Sequence, residues 1–444
     1  MNIKIPDEAQ YIINRLEESG YEAYVAGGCV RDAVLETEPK DWDICTQALP
    51  EQTMKCFEGQ RIIETGLRHG TITLVLDHKP FEITTYRVDG TYSDNRHPDT
   101  VEFVKDLKED LARRDFTINA MAYNPKTGIV DFFGGQEDIK DGIIRCVGDA
   151  DKRFQEDALR IMRALRFAAV LGFTIEKNTS NSCIGNRQLL QNIAVERIAV
   201  ELNQLIVGKG VFDVLRTHTS VLTEIIPEMI PMVGFDQNTA YHCFDVFQHT
   251  LRSVAYAPSD VVIRLTMLFH DIAKPKCYHE DERGGHFYGH AQAGAEMARE
   301  ILQRLKYDND TIETVTQLIL YHGVELHPES KSIKRWLNRI GEVRLRQLIE
   351  VKRADAMAKA DQYRQGDMDA LDRITATIDE VIEQQQCFAL KDLAVDGRDL
   401  IAVGVPQGTA IGKWLNRLMD MVIDEQVEND KGKLLKIVQE KKEI

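Results

Sequence analysis

The chain has 444 residues, 43% apolar and 28% charged, with 29 Gly and 12 Pro scattered along it; this excludes fibrous and largely disordered classes, and the length sets an expectation of about two to four domains. Its 71 carboxylates outnumber 55 Lys and Arg, for a formal charge of −16, which excludes a protein that coats nucleic acid nonspecifically and requires any RNA partner to meet a local basic patch. No apolar run approaches the ~18 residues of a membrane span, and Met1–Gln10 is polar and acidic, so no membrane partner is expected and the expected location is the cytoplasm.

In chain order, a helix is expected over Pro6–Ser19, then an apolar strand over Ala23–Ala26. Gly27 and Gly28 follow it and precede a helix starting near Val30, so their backbone N–H groups can approach a triphosphate closely, with Arg31 placed to add a charge-assisted bond. Asp41 and Asp43 alternate with Trp42 and Ile44 in an expected strand, Asp41–Thr46, and a period of two puts both carboxylates on one face. Their repulsion suits bound Mg²⁺, although a solvated edge strand has the same pattern. Thr71–Leu76 and Phe81–Tyr86 read as a hairpin that carries Glu82 either as a third carboxylate beside the aspartates or as an exposed strand residue. Arg87–Val101 is polar and turn-rich, and reads as a mobile loop.

From Asp151 onward helical periodicity dominates: Asp151–Leu171, Val195–Ile206, Asp260–His270, Gln292–Lys306, Thr311–Tyr321, Arg344–Ala360 and, in the tail, Lys413–Val422. Of twelve histidines, eight (His242, His249, His270, His279, His286, His290, His322 and His327) fall in one stretch of this helical part, which suggests a separate metal-binding module. The eight cysteines are widely spaced without a C-x-x-C pair and read as free thiols. The expected organisation is α+β: an α/β head over 1–150, a helical neck over 151–235, a His-rich metal-binding helical body over 236–370 and a helical tail over 371–444.

The Gly-Gly turn, the D-x-D pair and Glu82, in this order, resemble the polymerase-β-type nucleotidyltransferase superfamily. Arg113-Arg114-Asp115-Phe116-Thr117-Ile118-Asn119-Ala120 is similar to the second motif of the class II family of tRNA nucleotidyltransferases (CCA-adding enzymes) and bacterial poly(A) polymerases. The resemblance implies that Arg114 contacts nucleotide phosphates while Asp110 and Asp115 brace the site; a salt-bridged structural role for Arg113 and Asp115 competes with that reading.

Glu156–Phe167 is expected to open a helix with Asp157 and Arg160 at i and i+3 on one face. Cytosine and adenine present an exocyclic amine beside a ring-nitrogen acceptor, where uracil and guanine present a carbonyl beside a protonated ring nitrogen. A carboxylate and a guanidinium together therefore accept C and A, and reject U and G by leaving polar groups unpaired. The string resembles the family's base-template motif. Arg163 and Arg166, rotating away along the helix, are assigned to nucleotide binding through their long stems. Val195-Glu196-Arg197-Ile198 with Glu201-Leu202 resembles the next neck motif, to which a supporting role is assigned. The loop with Gly90, Tyr92, Asp94, Arg96 and Pro98 resembles the flexible loop of members able to add the terminal A, which favours CCA over CC addition; a separate A-adding enzyme would keep the same loop.

His249 and His270-Asp271, with Lys274 following, resemble the opening of the H…HD…D pattern of HD phosphohydrolases, with His290 and His322 as further ligands and Asp355, or alternatively Asp361, as the last carboxylate. The resemblance as a whole implies CCA addition to tRNA from CTP and ATP with Mg²⁺, and a second divalent metal in an HD domain. The rivals are a poly(A) polymerase or A-adding enzyme and, in another class, an HD phosphohydrolase acting on RNA ends or nucleotides. Candidate basic patches for tRNA are Lys331, Lys334, Arg335 and Arg339, and Lys431, Lys433, Lys436, Lys441 and Lys442; solvated helix faces would explain either run equally well.

Overall fold

The computed structural model describes residues 3–90, 92, 100–238, 243–282 and 284–440. The chain divides into two compact units, Met1–Ile230 with Arg304–Tyr307, and Pro231–Gln303 with Asp308–Ile444.

In the first unit the helix Asp7–Glu18 buries Ala9, Ile12, Ile13 and Leu16, the i, i+3, i+4, i+7 stripe of an amphipathic helix. It leads into β1 (Ala23–Ala26), followed by β2 (Ile44–Thr46), β3 (Arg61–Ile63), β4 (Thr71–Leu76) and β5 (Lys79–Thr85). A two-stranded ribbon of β6 (Arg87–Asp89) and β7 (Val101–Phe103) intervenes before β8 (Met121–Asn124) and β9 (Gly128–Asp131). The seven-stranded sheet has the order β3-β4-β5-β2-β1-β8-β9, with β2 and β5 parallel and the other neighbours antiparallel. The expected hairpin is the β4–β5 pair. Its turn residues Asp77 and His78 both have positive φ, 45° and 64°, the combination that matches the right-handed twist of the flanking strands. Ile72, Leu74, Phe81 and Ile83 point into the core while Lys79 and Glu82 point out.

Two expectations need correction here. The strand expected from Asp41 starts only at Ile44, because β1 pairs with β2 through Val25–Ile44 and then turns away at Gly27; only the Asp43 carbonyl still accepts a bond, from Ala26 N–H at 3.0 Å. The helix expected over Asp151–Leu171 is two helices, Ala150–Glu156 and Leu159–Leu171, separated at Asp157, which is extended (φ −136°, ψ 103°). Val195–Ile206 forms as expected and packs along Leu159–Leu171, burying Ile198, Leu202, Leu205 and Ile206.

The second unit contains helices Val246–Tyr256, Val261–Phe269, most of His290–Arg304, Asn309–Tyr321, Ser330–Met357 and Asp361–Glu383. Gly341 (φ 79°, ψ 166°) breaks the Ser330–Met357 run. Asp361–Glu383 was not expected from the sequence: of its 23 residues only Leu371, Ile374, Ile378 and Val381 are buried, too sparse a stripe to stand out. His279 and His286 pair with each other across a short hairpin. The tail closes its own core, with Leu400, Trp414, Leu418, Ile423 and Leu434 buried between Gly397–Ala402, Thr409–Ile423 and Lys431–Glu440. All eight cysteines are free thiols, five of them buried. Among the described residues no helix is long and apolar enough to cross a membrane.

Candidate active site

At the end of β1 the chain turns through Gly27 into the short helix Gly28–Val34. Gly27 has φ 88°, and a Cβ built there would stand 2.5 Å from Arg114 Nη1. The positive φ requires glycine, and the absence of a Cβ lets the Arg114 guanidinium lie against the backbone. Arg114 is anchored by Asp110, 3.6 Å away. Arg31 donates to Asn119 Oδ1 at 2.7 Å and to Asp32 Oδ1 at 2.6 Å, and lies 4.9 Å above the Phe167 ring.

The parallel register pairs Ile44 with Ile83, so the residues before them, Asp43 and Glu82, come to adjacent strand positions, with Asp41 two residues upstream. Asp43 is exposed, yet the protein around it, then Glu82 and, less, Asp41 hold its carboxyl above the ordinary value against the pull of Arg114. Excess negative charge on oxygen donors fits a divalent cation.

Asp157 and Arg160 are not i and i+3 on one helix, contrary to expectation. The Asp157 carboxylate accepts from Leu159 N–H at 3.1 Å, a local bond that holds residue 157 extended ahead of the helix. Its other oxygen lies 3.8 Å from Arg197. Arg160 pairs instead with Glu156 at 2.7 Å and donates to the carbonyls of Arg153 and Arg113, both at 3.2 Å. Asp157 and Arg160 nevertheless flank the same helix start.

Farther along, Arg163 donates to Asp115 Oδ2 at 2.6 Å and 2.9 Å, while Asp115 Oδ1 accepts from Asn119 and from Phe116 N–H. Burial alone would raise this carboxyl, but Arg163 and Asn119 outweigh it and hold it at about 2. Arg166 pairs with Glu201 at 2.6 Å, donates to Gln204 and lies 4.0 Å above Phe167. The neck motif thus reaches the Leu159–Leu171 helix through Glu201 and the segment just before it through Arg197. Arg113 pairs with Asp110 at 2.8 Å rather than with Asp115.

Tyr92 donates to Asp89 Oδ2 at 2.9 Å, whereas Asp94, Arg96 and Pro98 lie outside the described residues. Sequence reasoning did not single out Asn119 as a ligand of Arg31, Glu156 as the partner of Arg160, or Phe167, whose ring lies beneath Arg31, Arg163 and Arg166. The i, i+4 spacing of Glu156 and Arg160 was a legible signal for one of these.

In the second unit the six expected ligands converge. His249, His270 and Asp355 have ligand atoms within 4.8 Å of one another, as do Asp271, His290 and His322. Asp361, the alternative last carboxylate, instead pairs with Arg364 at 2.6 Å. Burial, reinforced by His270, pushes His322 down to about 3, so its imidazole is neutral, the form that ligates metal. The candidate basic residues are largely neutralised: Lys331 and Arg335 by Asp424, Lys334 by Glu425, Lys431 by Asp399, Lys433 by Glu428 and, at 3.9 Å, Lys436 by Glu440. Arg339 lies over Trp336, and Lys441 and Lys442 are outside the described residues.

Comparison with known proteins gives three family models: "Poly A polymerase head domain" over residues 23–145, "Probable RNA and SrmB-binding site of polymerase A" over 172–232, and "tRNA nucleotidyltransferase domain 2 putative" over 287–438. A CCA-adding enzyme of Limosilactobacillus fermentum is 34% identical over 97% of this chain and 96% of its own. One from Leuconostoc mesenteroides is 51% identical over 45% of this chain and 50% of its own. Among solved structures, the Bacillus stearothermophilus CCA-adding enzyme in complex with CTP superposes with a TM-score of 0.73 at 30% identity, covering 98% of this chain and 97% of its own. The Thermotoga maritima CCA-adding enzyme complexed with tRNA shares the fold at a TM-score of 0.60 and 19% identity, over 99% and 97% of the two chains.

Proposed function

The chain belongs to the family of CCA-adding enzymes, and from that premise we propose how its residues divide the work. It is a tRNA nucleotidyltransferase that adds CCA to the tRNA 3′ end from CTP and ATP, without a nucleic-acid template. Asp41 and Asp43, with Glu82 as a third carboxylate, hold a divalent ion, which we take to be Mg²⁺. When bound, that ion supplies Lewis acidity toward the attacking hydroxyl and the departing pyrophosphate. The backbone at Gly27 and Gly28, with Arg31 and Arg114, receives the triphosphate. Asp157 accepts from the exocyclic amine of C or A and Arg160 donates to the ring nitrogen beside it. Arg163 and Arg166 act mainly through Asp115, Glu201 and Phe167, and so fix the helix that carries Arg160. Residence in the cytoplasm is part of the same proposal.

The observation that carries this reading is the β2–β5 register that brings Asp43 and Glu82 together while Ala26 N–H ties Asp43 to the strand end preceding the glycine turn. Incubation with tRNA lacking CCA, with CTP alone, ATP alone and both, followed by sequencing of the products, tests it. Addition ending after CCA supports the reading. A long A tail, on this tRNA or on generic RNA, supports a poly(A) polymerase instead.

A second reading is favoured by the converging imidazoles and carboxylates of the second unit: an HD-type site that binds a divalent metal and hydrolyses phosphoesters of RNA ends or nucleotides. A phosphatase and cyclic-phosphodiesterase assay of the full chain, metal-loaded and then chelated, tests it; equal rates in the two states would reject the metal dependence.

A further inference from the structure

Arg31 and Arg163 stand on different elements, the helix Gly28–Val34 and the helix Leu159–Leu171, and two further side chains join them. Arg31 Nη1 donates to Asn119 Oδ1 at 2.7 Å, Asn119 Nδ2 donates to Asp115 Oδ1 at 3.0 Å, and Asp115 Oδ2 accepts from Arg163 at 2.6 and 2.9 Å. A guanidinium only donates and a carboxylate only accepts, so the Asn119 amide has a single orientation, oxygen toward Arg31 and nitrogen toward Asp115. Asparagine alone of the residues of this length makes both contacts without a charge of its own. Aspartate has no donor for Asp115, and it would neutralise Arg31; an apolar side chain makes neither contact.

Asn119 is 6% exposed and ends the short 3₁₀ turn Thr117–Asn119, where its N–H bonds to Phe116 O at 2.9 Å. The turn packs against the helix that carries Arg31. Arg31 has a second polar partner, Asp32, whose Oδ1 accepts from Nε at 2.8 Å and from Nη2 at 2.6 Å. Both of these bonds end on one oxygen, which makes that atom a pivot and leaves the tilt of the guanidinium free. The bond to Asn119 supplies the second fixed point, and the Phe167 ring 4.9 Å away supplies a floor. Three of the five N–H donors of a guanidinium are used in this way. The remaining two, one on Nη1 and one on Nη2, have no acceptor among the described residues.

Resting on the assignment of Arg31 to the triphosphate, we propose that Asn119 is a positioning residue for the nucleotide phosphates: its amide aims the two remaining N–H groups of Arg31 and ties them, through Asp115 and Arg163, to the helix that carries Arg160. Because the amide is neutral, Arg31 keeps its second contact without a second carboxylate competing with phosphate oxygens for its charge. Phosphate binding and base reading then share one chain of bonds, anchored at both ends over the Phe167 ring.

Inorganic tripolyphosphate carries no base, so its competition with CTP during incorporation reads the phosphate contacts alone. In the full-length chain, Asn119→Leu is expected to weaken that competition on the order of tenfold, the scale of one hydrogen bond to a charged group, and to raise the KM for CTP and ATP alike. Arg31→Ala should weaken it at least as much, and the double variant no more than Arg31→Ala alone, because Asn119 acts through Arg31. Asp115→Asn reads the far side of the chain: it should weaken competition by itself and add nothing to Asn119→Leu. Asn119→Ala repeats the series with a side chain that cannot clash, and the melting temperature of each variant shows that it is folded. Undiminished competition in Arg31→Ala would overturn the phosphate assignment itself. A loss in Arg31→Ala that neither Asn119 variant shares, or losses that add in either double variant, would overturn the positioning role and leave that assignment standing.

Discussion

Asp115 and Arg163 form an ion pair with a 2.6 Å contact across 48 residues of sequence, joining the segment after Leu107–Ala112 to the Leu159–Leu171 helix. The carboxyl is buried, and Arg163 with Asn119 holds it at about 2 against the cost of burial. The folded value lies below the unfolded one, so the stabilisation is fully present above the ordinary Asp value of about 3.9 and is lost as pH falls toward 2. We expect Asp115→Asn to cost on the order of 2–3 kcal/mol at pH 7, the equivalent of holding the carboxyl at about 2 at about 1.4 kcal/mol per tenfold change in proton affinity. The gap between parent and variant should hold constant from pH 8 to 5 and shrink below pH 4. Urea unfolding at stepped pH measures it; a gap unchanged at pH 3 would contradict the assignment.

Gly27→Ala meets two penalties at once. A φ of 88° with ψ −133° costs a side chain about 1–3 kcal/mol, and the new Cβ requires the end of the Arg114 side chain to move from a contact of 2.5 Å. The expected outcome is a rise in the KM for CTP and ATP alike of tenfold or more, with a melting temperature lower by several degrees. An increase for one nucleotide only would place Gly27 near the base and not the phosphates.

Base choice should respond to Asp157 separately. Removing its carboxylate leaves an exocyclic amine without an acceptor for C and A, and removes the repulsion from a carbonyl for U and G. Asp157→Ala is therefore expected to narrow discrimination against UTP and GTP by roughly 10- to 100-fold, the scale of one buried unpaired hydrogen bond at about 1–3 kcal/mol, with less effect on triphosphate binding. Single-nucleotide incorporation with each of the four nucleoside triphosphates reads this directly. Undiminished rejection of UTP would remove Asp157 from the template.

These expectations show what was legible in the chain and what was not. The glycine turn and the β4–β5 hairpin were readable because each depends on local spacing. The register that joins Asp43 to Glu82 was not, since it is set by pairing across 39 positions. The helix start was misread because a single bond from Leu159 N–H to the Asp157 carboxylate overrides continuous helical periodicity. The six residues that converge in the second unit were picked out by residue type and order, but the turning inward of every Nε2 depends on backbone carbonyls that carry no sequence signature.

Phe167 provides an independent check on the arginine cluster. Its ring lies 4.0 Å from Arg166, 4.9 Å from Arg31 and 5.4 Å from Arg163. Each such contact is worth about 0.5–1 kcal/mol where partly solvated. Phe167→Leu keeps the apolar bulk and loses the ring face, so we expect stability to fall by about 1–2 kcal/mol and the KM for CTP to rise several-fold while kcat changes little. A loss confined to kcat would mean that the ring positions the reacting hydroxyl rather than the phosphate ligands.

The carboxylates of the head should separate by rank. Asp41→Ala and Asp43→Ala are each expected to lower incorporation by at least a thousandfold, on the order of 4 kcal/mol in the barrier, whereas Glu82→Gln should mainly raise the Mg²⁺ concentration needed for half-maximal rate. The pH dependence gives a second readout. Partial desolvation by the surrounding protein and then Glu82 raise the Asp43 carboxyl above its ordinary value, and protons would compete with the proposed metal for it. Removing the Glu82 charge therefore lowers the Asp43 value and moves the acid limb of Mg²⁺ activation to lower pH. Rates measured from pH 4.5 to 7.5 at subsaturating Mg²⁺ test the shift. An acid limb displaced to higher pH in Glu82→Gln would mean that Glu82 does not act on Asp43 through its charge.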